Sequence, residues 1–461
     1  MKKLIIFVGL LALSMAVTTQ FAVSIETSDE NKYILLNIDR DKLREVIEAP
    51  PTQPVIRPTP IIRPIIRQVL FDEDLVWPSP ISTIESPHMP LGLQAQFNIE
   101  YKGAFRVTDS SSSSNSNFAV GTLGYNSRSD SLFIAGHAHH NAIAEFKIPD
   151  ILSFSANAKE IVNAETLQPY TRILDGIPNN KITGMLEFNG SLVVTSEIWY
   201  DGSGSNKDNI FTLDLDNISR HTTNIAQLNG AARIAGYMSK IPESYRKLLG
   251  GDYLVGWASN YSITSRYSQG PSLAVFNPQD VVDGSKTIPS NIKQVYPMES
   301  GKKLHPQGNN NSASVDEISP LWTNISKARY GFIVPDSNTF MVVGSTGGLH
   351  GGLGYKITQD TGRLCGGGCT RIAADNYNYF WLYNVKDILT AENPWDARPY
   401  SYGKFILPYD GQIIGAVFDN NETLYISVGG AGQTGRFDRP PLILAYSINA
   451  KQRFHRGGVN E

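Results

Sequence analysis

Three imidazoles stand within four residues in Gly136-His-Ala-His-His-Asn141. His137 and His139 share parity, so on a strand they face the same side. Two such imidazoles suit a divalent metal, with a third ligand drawn from another loop, His350 or Asp201. Without a metal the same rings suit general acid or base work, or a hydrogen-bonded structural cluster. Other loops carry Trp199-Tyr-Asp-Gly202, Tyr261, Arg266-Tyr267, His350 and Arg436-Phe-Asp-Arg439. Aromatics beside polar groups stack on sugar rings and bond their hydroxyls. Trp199, Asp201, Tyr261, His350, Arg436 and Phe437 are therefore the candidate binding residues. Cleavage of an acidic polysaccharide by elimination needs a base, an acid and a cation to steady the enolate-like charge. His139, Tyr200 or Tyr267, and Arg266 supply those types. Hydrolysis by paired carboxylates is the competing chemistry, with Glu197, Asp201 and Asp438 as its acids.

Groups so far apart in sequence need a scaffold that brings loops together. From about residue 97, short β runs alternate with glycine and asparagine turns. Five runs share an ending: Phe146-Lys-Ile148, Leu213-Asp-Leu215, Phe276-Asn-Pro278, Tyr383-Asn-Val385 and Tyr446-Ser-Ile448. The intervals between their first residues are 67, 63, 107 and 63. Each has a β lead-in: Leu132–Gly136, Leu192–Thr195, Ile263–Ser265, Met341–Gly344 and Leu424–Val428. Further upstream runs, such as Ile182–Phe188 and Ile413–Phe418, precede several. Insertions at 299–320 and 345–376 account for the long interval. An antiparallel unit repeated at this period predicts an all-β fold, a β-propeller of five blades. Six or seven blades, or a β-sandwich with a second β domain, are the alternatives. Closure requires an outer strand for the last blade, from Phe97–Tyr101 or Ala104–Val107. Loops joining the last two strands of every unit then share one rim, which collects the residues above. His305 and Gly308–Asn311, in the first insertion, would form a flap over it.

Composition narrows the partners. Of 461 residues, 41% are hydrophobic and 18% charged, which describes a folded chain. The net charge of -3 argues against nucleic acid. Residues 1–22 read as a secretory signal peptide: Lys2 and Lys3, an apolar run from Leu4 to Leu13, then Ser14 and Ala16. The run is short for a membrane span, so a secreted or periplasmic product with no transmembrane segment is expected. Residues 23–48 form a small segment with a strand candidate at Tyr33–Ile38 and a helix candidate at Asp39–Glu48. Residues 49–96, with Pro50, Pro51, Pro54, Pro58, Pro60 and Pro64, read as a linker or strap. The propeller is expected over 97–450 and a tail over 451–461. The two cysteines, Cys365 and Cys369, flank three glycines, a spacing that permits a disulfide in an exported protein. Free thiols and metal ligation are the alternatives. No dinucleotide fingerprint, HExxH, G-x-S-x-G or EF-hand motif occurs.

Several phrases are distinctive: Ile241-Pro-Glu-Ser-Tyr-Arg-Lys-Leu-Leu-Gly-Gly251, Ser265-Arg-Tyr-Ser-Gln-Gly-Pro-Ser272, Asn393-Pro-Trp-Asp-Ala-Arg-Pro-Tyr400, and the strand pair around Ile413–Tyr446. In these the chain resembles a family of exported bacterial β-propeller proteins of unknown function, over about residues 97–450. The resemblance implies the fold and export, and no catalytic residues. Members carry more cysteines in the third and fourth repeats than this chain has. The expected partner is a polysaccharide or an extracytoplasmic protein bound at the loop-rich rim, with polysaccharide cleavage as the alternative.

Overall fold

A computed structural model describes residues 97–450, apart from 205–206, 208, 221, 258–263, 305–314, 317–318, 350–352, 356–370 and 374. It also describes four short N-terminal strands, Ile6–Val8, Phe21–Val23, Ile25–Glu26 and Leu35–Leu36. Contacts divide the chain into Met1–Trp77 and Pro78–Glu461. The signal, helix and proline-strap readings fall mainly on residues outside those described.

Residues 97–450 build five sheets in a ring, antiparallel except where Thr287–Ile288 joins blade two in parallel beside Gln227 and Leu228. The innermost strands are Leu123–Asn126, Lys181–Phe188, Tyr237–Lys240, Lys327–Ile333 and Ile413–Phe418. Each lies beside its neighbours round the ring, so the fold is an all-β propeller of five blades rather than six, seven or a sandwich. The repeated endings fall on the third strand of each blade. Physical reasons for two of those endings are visible. Asn277 and Asn384 leave the sheet and cap the short helices Pro278–Val282 and Val385–Thr390, each side chain accepting a backbone N–H.

One lead-in needs correction. The second strand of blade three is Tyr253–Gly256, not Ile263–Ser265. Thr264–Arg266 is a short 3-10 turn within a long connection. β-Branched residues there mimic a strand, but the inner pairing is already satisfied upstream.

Closure occurs as a strand exchange between the ends of the ring. Phe97–Arg106 pairs with Leu442–Ala450, from Leu442↔Arg106 to Ala450↔Phe97. The last blade is thus three late strands and one early strand, and no open edge remains between first and last blades. The two insertions of blade four meet each other: Val315–Asp316 pairs with Leu353–Tyr355, which pairs with Arg371–Ile372.

Close packing holds the ring. Bulges in blades two and five put Gly184 and Gly415 against the next blade. A Cβ would come within 1.9 Å of the Gly236 carbonyl oxygen at the first and 2.0 Å of the Gly121 carbonyl oxygen at the second. Hydroxyls stitch the same seams. Thr122 donates to the Ile182 carbonyl at 2.9 Å, Thr183 to Ala235 at 2.8 Å, and Ser239 to Gly331 at 3.1 Å.

Candidate functional site

Antiparallel order sends every connection between second and third strands to the face where the innermost strands begin. All five candidate loops therefore emerge on one face, around the mouth of the axial channel. Their residues gather in separate groups.

On the side of blades one and five, His137 stacks on His140 with ring centroids 4.3 Å apart and lies 5.5 Å from His139. Phe118 approaches His137 edge-on at 6.1 Å. The His139 amide donates to His137 Nδ1 at 3.3 Å, and His140 Nδ1 is 3.2 Å from Ser114 Oγ. Burial, then the neighbouring imidazoles of His140 and His139, hold His137 below the usual histidine range. At neutral pH that ring is uncharged, with Nδ1 engaged by the backbone. Among the described residues no group of three histidine, cysteine or acidic side chains is arranged for a metal ion. His350 lies outside the described residues.

Blades two and three contribute a second group. Trp199 and Tyr200 are 40% and 60% exposed. Their loop is pinned. The Trp199 amide donates to Asn180 Oδ1 at 2.8 Å, and Arg266 Nη2 donates to the Gly202 carbonyl at 3.5 Å. The Arg266 guanidinium also packs over Gly204, where φ is +69° and a Cβ would lie within 2.8 Å. Arg266 Nε is buried without a hydrogen-bond partner among the described residues.

Three expected rim residues do other work. Tyr267 is fully buried against Trp257, and its hydroxyl donates to the Ile198 carbonyl at 3.2 Å. It therefore packs the loop base, because a tyrosine ring at that depth has a backbone acceptor within reach. Asp201 is buried. Asp438 accepts from Thr434 Oγ1 at 2.7 Å and from the amides of Thr434 and Gly435, bonds that hold its carboxyl below the usual range. It ties a turn. Arg436 lies 5.2 Å over the ring of Phe437, which is 82% exposed. His139 contacts His137 within the blade-one loop, and Arg266 contacts Gly202 and Gly204 of the blade-two loop. Tyr261, Cys365 and Cys369, with the flap at 305–311, lie outside the described residues, and the disulfide gains no support here.

A third group occupies the channel mouth, and only Glu197 of it stood out in the sequence. Lys181 opens the inner strand of blade two opposite Glu197, which ends the second strand. Lys181 Nζ lies 3.3 Å from Glu197 Oε1, and Trp257 Nε1 donates to Glu197 Oε2 at 2.8 Å. From blade four, Lys327 and Arg329 flank Ala328 at the head of the inner strand. Ala328 is fully buried, whereas Lys327 and Arg329 keep part of their surface open. A bulge between Ala328 and Tyr330 leaves Arg329 out of the regular pairing, and electrostatic coupling sets it near Lys327 and Lys181. Arg329 Nε is buried with no hydrogen-bond partner among the described residues.

Electrostatics there are unbalanced. Burial lowers Lys181, with Glu197 opposing and Arg329 assisting. Burial, then Arg329 and Lys181, pushes Lys327 down to about 7. Burial pushes Arg329 to about 10, with Glu197 opposing. Burial is the larger cause at Lys327, and the neighbouring like charges add to it. The signal in the sequence was a cation at the head of two inner strands, Lys181 before Ile182 and the pair Lys327 and Arg329 about Ala328.

The propeller fold implied by the resemblance is present. No protein-family model matches the chain, and a search of curated proteins finds no match. Solved structures with a similar course include an arabinanase from Bacillus subtilis, 12% identical at a TM-score of 0.36, covering 76% of this chain and 97% of that one. A xylan β-1,4-xylosidase from Bacillus halodurans is 10% identical at 0.35, covering 74% of this chain and 54% of that one. A Bacteroides vulgatus protein of the duf4221 family is 9% identical at 0.27, covering 77% of this chain and 99% of that one. None of the three reaches a TM-score of 0.5, and the functional reading rests on the residues alone.

Proposed function

We propose that the loop-bearing face binds a carbohydrate chain, with Trp199 and Tyr200 as its stacking platform. The observation that supports this is an exposed aromatic pair on a backbone held by Asn180 and Arg266. A pre-ordered aromatic surface loses little entropy on binding. Export, as the first 22 residues suggest, would put this face where polysaccharide is available. Affinity electrophoresis against neutral and acidic polysaccharides tests the reading. Retardation by one class and release on Trp199→Ala are expected. A chain that no polysaccharide retards sinks it and leaves a protein partner as the ligand.

A second reading, cleavage of an acidic polysaccharide by elimination, is favoured by one observation. Lys327, at about 7, stands beside Arg329 at the channel mouth. A neutral amine there would take the proton alpha to a sugar carboxylate. The released electron pair forms the new double bond, the glycosidic C–O bond breaks, and the leaving oxygen takes a proton from Tyr200 or water. Incubation with polyuronates separates the readings: an unsaturated chromophore marks elimination, new reducing ends without it mark hydrolysis, and neither appears with binding alone.

A further inference from the structure

We infer that the channel mouth is an oxyanion subsite, in which Lys181, Lys327 and Arg329 take the carboxylate or sulfate ester of an acidic sugar. The sugar part rests on the carbohydrate reading above; the anion part does not.

Charge comes first. Three cationic side chains act on one another, and two of them, Lys181 and Arg329, act on one carboxylate, Glu197, which is 1% exposed and already engaged by Lys181 and Trp257. Other ion pairs of the fold are one to one and near solvent, such as Arg128–Asp216 and Arg172–Asp175. There, water screens what geometry leaves unpaired. At the mouth, enclosed cations repel one another and lose hydration, an arrangement that a purely structural network avoids. An arriving oxyanion would supply the missing charge.

Geometry adds the rest. Blades two and four, separated in the ring by blade three, supply the cations, from strands that share no sheet. A guanidinium and two ammonium groups combine a planar fork with two point charges, a set suited to an oxyanion. The Nε of Arg329 is a buried donor with no acceptor among the described residues. Glu197 keeps Lys181 anchored at the wall, so a ligand need not order it. Glu197 ends the strand whose following loop carries Trp199 and Tyr200, so a sugar held beside Lys181 could continue across the aromatic pair.

Thermal unfolding and calorimetry of the full chain test this with galacturonate, galactose 6-sulfate, galactose, and sodium chloride at matched ionic strength. A saturable rise in midpoint with either acid, and none with galactose or chloride, is expected. Response to galacturonate alone assigns a carboxylate, and response to the sulfate ester alone assigns a sulfate. Lys327→Gln should weaken the acid at least tenfold while the midpoint of the free protein holds or rises, because one repelling charge is gone. Arg329→Gln should weaken it at least as much. Retention of full affinity in both variants overturns the subsite, as does an equal response to chloride or galactose. Acids that bind when every polysaccharide fails leave the subsite standing and remove the carbohydrate reading. Neutral polysaccharide binding without any acid response does the reverse.

Discussion

At one end of the inner strands Lys181, Lys327 and Arg329 act on one another, with the buried carboxylate of Glu197 beside Lys181 and Arg329. At the other, Tyr125, Phe188, Tyr253 and Tyr330 line a cavity of about 330 Å³ where Glu187 and Asp419 meet Lys240. The same five inner strands make both ends. Their first residues face the long loops, and their last residues run into tight turns. Phe188 and Ser191 pair across Asn189-Gly190, whose φ values of 48° and 78° suit a two-residue hairpin turn. Local bonds consume the acids of that end. Glu187 accepts from Ser127 at 2.7 Å, and Asp419 accepts three turn amides. At the mouth, Glu197 engages Lys181, and among the described residues no carboxylate pairs with Lys327 or Arg329 in a salt bridge. Charges satisfied by their own turns are structural; charges left facing one another across the axis are available to a ligand.

That contrast is open to attack, beginning with the largest effect. Gly184→Ala should abolish both ends together. A Cβ 1.9 Å from a backbone oxygen forces two blades apart, at a cost of roughly 3 kcal/mol or more. Denaturant titration measures it, and an unchanged midpoint would show that the seam is looser than described.

Charge reversal separates the ends. Lys327→Glu should lower affinity for an acidic glycan about a hundredfold, a loss typical of a disrupted enclosed charge contact. Lys240→Gln, at the opposite end, should change it less than about twofold, as surface substitutions commonly do. Equal losses in a binding titration would erase the distinction.

Titration sharpens the comparison further. Lys327 is depressed to about 7 by burial, Arg329 and Lys181, while Glu197 pairs with Lys181 and opposes the lowering of Arg329. An anion that recharges Lys327 carries a proton in with it, so affinity should fall about tenfold between pH 6.5 and 8.5. The free protein moves the other way. From about pH 7 toward the ordinary lysine range its folded state holds fewer protons than its unfolded state, so this group makes stability rise with pH there. Lys327→Gln should flatten both profiles. Calorimetry that shows affinity and stability rising together with pH contradicts the assignment.

Smallest is the aromatic contribution at the rim. Trp199→Ala should cost about 1 kcal/mol, a fivefold weaker polysaccharide complex, with no change in pH profile. A larger loss than that of Lys327→Glu would move the centre of binding from the channel to the rim.

Much of the scaffold was legible because a propeller repeats local information. Strand endings such as Phe276-Asn-Pro278 carry both the sheet and the cap that ends it. The closing strand at Phe97 was visible from the need to cover an edge. Legibility failed where the unit stretched: the connection after Gly256 hid the true second strand of blade three behind Ile263–Ser265. At the rim, sequence placed Trp199, Tyr200 and His139 on loops of one face. Depth could not be read, and Tyr267 and Asp201 proved buried.

By itself, then, the sequence determined which segments become strands, how many units there are and which loops share a face, since these follow from short-range periodicity and the sense of antiparallel pairing. Tertiary structure decided which charges meet. Lys181 and Lys327 stand 146 positions apart, and only ring closure turns their strands toward a common axis. There, loss of water and the nearness of like charge, neither of which any local pattern encodes, give these ordinary residues their altered titration and their unfilled demand for an anion.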